Sequence, residues 1–207
     1  MSTARPLVLV TAFEPFGGSG VNPTMLIARL LADMPCARGS RAFATLPVVG
    51  GTGAGSAWAA LEPIVASLAP DAVVALGESA RAEAITFERV AVNLRDSRIA
   101  DNAGVRAVDQ PVVAGGADAL FGTLPLRALA EACDAAGVPA TLSLSAGSFL
   151  CNEVMYRLLA HARVPRAGFI HVPQLPEQSA ERGGPSMEAP HAARGVHAAL
   201  ERLATLI

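Results

Sequence analysis

Short apolar runs alternate along the chain with longer segments in which apolar residues recur every three or four positions. The short runs are "PLVLVTA" (6–12), "AFATLPVV" (42–49), "DAVVALG" (71–77), "ERVAVN" (88–93), "PATLSLS" (139–145) and "GFIHVP" (168–173). Several lack strict in/out alternation, as strands covered on both faces do. Helical periodicity fills the intervals at 23–34, 55–69, 123–137, 148–162 and 187–206. This order predicts an α/β fold, a mostly parallel sheet between two layers of helices, with active residues at the carboxyl ends of strands. Pro190 fits the last helix only in its first turn, so that helix is expected to start later than its pattern implies. The stretch from Arg95 to Gly116 is the longest without periodicity, a length of loop that usually carries function.

With 207 residues, 52% of them hydrophobic, and no linker or repeat, the chain is expected to form a single domain over 1–207. Lys and Arg number 16 against 18 Asp and Glu. That balance gives no cationic surplus for nucleic acid. Gly, Pro and charges interrupt every apolar run before the ~20 residues a membrane span needs, so no membrane partner is expected. "PLVLVTAF" lacks the basic flank and cleavage pattern of a signal peptide, and a cytoplasmic location is the expectation.

The three cysteines, Cys36, Cys133 and Cys151, are odd in number and widely separated, which argues for free thiols over disulfides or paired zinc ligands. Cys36 and Cys133 read as packing residues. Cys151 follows the turn "SAGS" after a strand and opens a helix, with Ser148 as its expected N-cap. Free backbone N–H groups and the positive helix end favour a thiolate there. A nucleophilic thiol needs an imidazole partner. His161, His191 and His197 lie on helix ends or polar faces, whereas His171 ends a hydrophobic strand. A carboxylate should orient that imidazole; Glu88 is followed by Arg89, for which a surface ion pair is the simpler reading, and local chemistry does not choose between Glu88, Glu78, Glu83, Asp96 and Asp101.

Ordered blocks across nearly the whole chain resemble the pyroglutamyl peptidase I (pyrrolidone-carboxyl peptidase) family of cysteine peptidases. They are "LVTAFEPFGG" with "NPT" (22–24), "ERVAVN" with "DSRIADN" (96–102), "TLPLRAL" (123–129), "SAGSFLCN" (145–152) and "GFIHVPQLPEQ" (168–178). The resemblance implies a three-layer α/β/α sandwich of phosphorylase/hydrolase-like type and removal of N-terminal pyroglutamate from peptides. It also implies a Glu88–Cys151–His171 triad and an oxyanion region near Arg98 and the Cys151 backbone. Phe13, Phe16, Asn22, Phe149 and Leu150 become substrate-binding candidates, although Asn22 before Pro23 also reads as a helix N-cap. No metal or cofactor is required, and a homotetramer is implied. A flat neutral lactam suits aromatic walls with few polar groups. The chain departs from the family at Glu78, where relatives carry glutamine, at Leu144 in place of asparagine and at Glu153 in place of histidine.

Two other classes compete. "GGTGAGS" (50–56) between strand and helix raises a nucleotide-binding domain, but Ser56 breaks the G-x-G-x-x-G spacing and no P-loop Lys follows. The altered "GESARAEA" (77–84) raises a catalytically silent relative that binds peptide N-termini.

Overall fold

The computed structural model describes residues 5–161 and 163–207. A six-stranded sheet runs through it in the order β2-β1-β3-β8-β4-β7. Its strands are β1 (Leu7–Phe13), β2 (Ser40–Leu46), β3 (Ala72–Ser79), β4 (Ile85–Glu88), β7 (Ala140–Ser143) and β8 (Arg166–Pro173). Four of the five pairings are parallel; β4 against β8 is antiparallel.

Residues along each central strand alternate between two cores. Val8, Val10, Val74, Leu76, Ile170 and Val172 meet α1 (Pro23–Asp33), α3 (Leu126–Ala135) and α6 (Ala189–Leu203) on one face. Leu9, Val73, Ala75 and Phe169 meet α2 (Ala57–Leu68) and α4 (Leu150–His161) on the other. Both faces of the sheet are therefore apolar, which is why its strands read as near-continuous hydrophobic runs. Pro190 lies in the first turn of α6, as expected, where its missing N–H leaves no bond unmade.

Three elements differ from the sequence expectation. The run 88–93 is two strands: β4 ends at Glu88, and β5 (Val90–Val92) leaves the main sheet to pair antiparallel with β6 (Ala119–Phe121). A short α5 (Pro176–Arg182) follows β8 directly. Helix α4 starts at Leu150 instead of 148, and Ala162, the last residue of the expected helix, lies outside the described residues. Ser148 does not cap α4; its hydroxyl donates to the Asp96 carbonyl at 2.6 Å and pins the long loop beside the helix start.

That loop is held by charge as well as by the apolar packing of Ala107 and Val112. Glu153, buried on α4, accepts from Arg95 at 2.8 Å, from Arg157 at 3.0 Å and from the Gly51 amide at 2.9 Å. Asp101 accepts from the amides of Gly50, Ala103 and Val105. The Gly50 and Gly51 N–H groups of the glycine-rich stretch are thus already bound to carboxylates, and Ser56 caps α2 through the Ala59 amide. A phosphate cradle needs those donors free, so the nucleotide-binding reading falls. No described helix is long and apolar enough to cross a membrane.

Candidate active site

Phe169 and His171 share the sheet face covered by α4, since residues two apart on a strand point the same way. Across the antiparallel pair, Thr86 stands opposite His171 and Glu88 opposite Phe169. Glu88 and His171 are therefore diagonal neighbours, and Nδ1 of His171 donates to Oε1 of Glu88 at 2.8 Å. Glu88 is 2% exposed, so it is no surface partner of Arg89. The other carboxylates left open by the sequence lie elsewhere: Asp96 and Glu83 are exposed, Asp101 closes a turn and Glu78 pairs with Arg182.

Cys151 lies in the first turn of α4, partly exposed, beside His171, whose proton its charge and hydrogen-bonding capacity help to hold. With Nδ1 engaged by Glu88, Nε2 is the ring nitrogen left for the thiol. Burial is the largest single influence on His171 and pushes its pKa down. The charge and hydrogen bond of Cys151, then those of Glu88, outweigh it together and raise the value from 6.5 to about 10. The neighbouring Cys151 and Glu88 together favour the imidazolium form of His171. Cys133 is the opposite case: fully buried, its thiol donates to the Gly195 carbonyl at 3.0 Å, and burial followed by the Asp134 charge pushes its pKa up to about 12.

Neighbouring elements hold this pair in place. Gly77 on β3 stands opposite His171, and a Cβ there would lie 2.6 Å from the Phe169 ring and 2.9 Å from the Cys151 sulfur. Asn152, fully buried, accepts from the Val92 amide and donates to the carbonyls of Val92 and Leu94, each at 2.9 Å. It ties β5 to the helix that carries the thiol. Neither role is visible without knowing which strands are neighbours.

A pocket opens beside the thiol, lined by Phe13, Phe16, Asn22, Val48, Glu78, Phe149, Leu150 and Cys151. The structure thus gathers all five sequence-derived pocket candidates and adds Val48 and Glu78. The rings of Phe16 and Phe149 stand 6.2 Å apart, while Phe13 packs 6.4 Å from Phe169. Asn22 serves twice: it lines the pocket, and its Oδ1 caps α1 by accepting from the Thr24 amide at 3.0 Å. Thr24 Oγ1 in turn accepts from the Phe13 amide at 3.0 Å, fixing the end of β1. The turn after Phe16 requires positive φ at Gly17 (61°) and Gly18 (81°), a conformation glycine adopts without strain. Glu14 binds the Val48 amide and the Asn102 side chain, which brings "FEPFGG" against the end of "DSRIADN". Arg98 is not among the lining residues; its side chain is exposed on the loop that Ser148 pins. A larger cleft, with Trp58, Glu62, His161 and Arg163 in its wall, lies at the other end of α4. That end is about 15 Å along the helix from Cys151, and no site candidate lines the cleft.

Comparison with known proteins gives a consistent picture. Residues 7–205 match the family described as pyroglutamyl peptidase. A pyrrolidone-carboxylate peptidase of Chromobacterium violaceum is 46% identical over 178 residues, covering 86% of this chain and 82% of the relative. One from Aliivibrio fischeri is 38% identical over 201 residues, covering 95% and 92%. The crystal structure of pyroglutamyl peptidase I from Bacillus amyloliquefaciens superposes with a TM-score of 0.90 at 33% identity, covering 97% of this chain and 95% of that one.

Proposed function

The chain belongs to the pyroglutamyl peptidase family, cysteine peptidases that remove N-terminal pyroglutamate, and from that premise we propose that Cys151, His171 and Glu88 carry the reaction. One observation supports this assignment above the rest: a single buried imidazole bonds Glu88 through Nδ1 while the Cys151 thiol lies beside the ring and helps to hold its proton. The Cys151 thiolate attacks the pyroglutamyl carbonyl carbon, forming an S–C bond. His171 passes its Nε2 proton to the departing amine as the C–N bond breaks. Water then adds to the thioester, gives a proton to His171 and expels the thiolate, so the resting pair is restored. Glu88 keeps the imidazole in the tautomer that presents Nε2 and stabilises its positive charge. The Cys151 backbone N–H, unbonded within the first turn of α4, is the oxyanion donor, with the Arg98 segment as the second contributor.

The pocket of Phe13, Phe16, Asn22, Phe149 and Leu150 takes the lactam ring. Its rings offer flat apolar area and its few polar atoms suit a neutral amide. We extend the reading to one catalytic domain, cytoplasmic and assembled as a tetramer. Free thiols fit a reducing compartment, and the exposed side chains of Phe121 and Leu144 give copies an apolar surface to share. Hydrolysis of a fluorogenic pyroglutamyl amide by the purified protein, abolished in Cys151→Ala, tests the assignment; retained activity in that variant overturns it and so does an inactive wild type, the outcome that the silent-relative reading requires.

A further inference from the structure

The ring pocket holds one acidic side chain, Glu78, at the end of β3 among aromatic and aliphatic neighbours. Its side chain is 2% exposed. A lone carboxylate in such a place attracts cations strongly, because little water screens it. Every ordinary peptide N-terminus is a cation. Proline is the sharpest competitor, since its five-membered ring matches pyroglutamate in size while its nitrogen carries a positive charge.

The structure supplies a counter-charge. Arg182, the last residue of α5, reaches Oε1 of Glu78 through Nη2, while Gln178 Nε2 donates to Oε2 at 3.2 Å. The guanidinium is itself held: its Nε donates at 2.6 Å to Oε1 of Gln174. Gln174 is fully buried and anchored by donating to the carbonyls of Gly183 at 2.7 Å and Pro185 at 3.0 Å. Arg182 is exposed, its side chain 38% open to solvent, but it is fixed through both Nη2 and Nε and so stands as a held partner of Glu78. The pair sums to zero charge. A neutral lactam enters without an electrostatic penalty, and an ammonium group finds no uncompensated anion to replace its lost hydration.

We propose that Arg182 is a specificity-determining residue whose charge cancels that of Glu78 and so restricts the pocket to neutral five-membered rings, shutting out the cationic ring of an N-terminal proline. This rests on the pocket assignment made above. Discrimination then comes from what is denied to the competitor as much as from what is offered to the substrate.

The test is calorimetric binding of 2-pyrrolidone, a neutral lactam, and prolinamide, a cationic ring of the same size, at neutral pH. Wild type binds 2-pyrrolidone in preference. Arg182→Met, with a net negative pocket, shifts the ratio of dissociation constants toward prolinamide by roughly tenfold or more. Arg182→Lys and the double variant Glu78→Gln/Arg182→Met keep the wild-type ratio, because both leave the pocket neutral. Glu78→Gln alone, with a net positive pocket, moves the ratio the other way, so the order of ratios remains readable even where Arg182→Met does not fold. A ratio that fails to follow net pocket charge, or a double variant as permissive as Arg182→Met, overturns the inference. A wild type that prefers 2-pyrrolidone yet hydrolyses no pyroglutamyl amide overturns the catalytic assignment and leaves the selectivity of the pocket standing.

Discussion

His171 donates its Nδ1 proton to Glu88 over 2.8 Å, from a strand antiparallel to the one that carries the acid. The other carboxylate oxygen, Oε2, is buried and has no partner among the described residues. The charge of Glu88 is therefore directed at the imidazole. Glu88→Gln should fold, keep some thiol reactivity and lower kcat/KM by about a hundredfold, as expected for an orienting group. Cys151→Ala and His171→Ala should lose nearly all activity, because those groups take part in the bond changes. Steady-state kinetics with circular dichroism as the folding control checks the order, and wild-type kcat/KM in Glu88→Gln contradicts it.

Thiol chemistry separates the cysteines. Cys151 is partly exposed and lies beside His171, whereas burial holds Cys133 protonated up to about pH 12. Iodoacetamide should label Cys151 first and abolish activity in step with that labelling; Cys133 should remain unmodified until the protein unfolds. Peptide mapping of the partly labelled enzyme reads both rates. Activity that survives full labelling of Cys151 contradicts the assignment.

The raised pKa of His171 has a definite sign. Its proton is held beyond the ordinary 6.5, so its contribution to stability is full below that value and is lost as pH rises through about 10. The same proton serves the leaving amine. The alkaline limb of kcat/KM should therefore fall near pH 10, well above a free imidazole, and Glu88→Gln should move it to lower pH by removing one of the groups that raise it. A pH–rate profile that declines near 6.5 contradicts the imidazolium assignment.

Much of this was legible along the chain. The apolar runs mark β1, β3 and β8 because both faces of those strands are buried, and the turn before Cys151 places the thiol at a helix start. His171 stands out because it ends such a run. Glu88 was not separable from its rivals by local chemistry: its selection depends on a long-range antiparallel register that no hydrophobic pattern reveals. The break at Arg89 was hidden for the same reason, since apolar residues continue across it while the pairing partner changes from β8 to β6. Glu78 reads in the sequence as a rival carboxylate and a departure from the family, and its pairing stays hidden because Arg182 comes from a short helix with little periodicity to signal it.

Gly77 turns the packing argument into a measurement. Its missing Cβ leaves room for both the Phe169 ring and the Cys151 sulfur, which are backbone-anchored from β8 and α4. Gly77→Ala should destabilise the fold by about 1–3 kcal/mol through overpacking and should displace the thiol from His171. The expected signature is a modest fall in Tm with a larger loss of kcat and slower alkylation of Cys151. Unchanged kcat and alkylation rate contradict this account of the site's geometry.

Trapping the acyl-enzyme identifies the nucleophile by the bond it forms. Wild-type protein mixed with excess pyroglutamyl amide, quenched in acid during the first turnover and digested, should show one 5-oxoprolyl group attached as a thioester to the peptide containing Cys151. The adduct should disappear on treatment with hydroxylamine and be absent from Cys151→Ala. Turnover in which every intact peptide stays unmodified in rapid-quench samples, or an adduct on Cys36 or Cys133, contradicts Cys151 as the nucleophile.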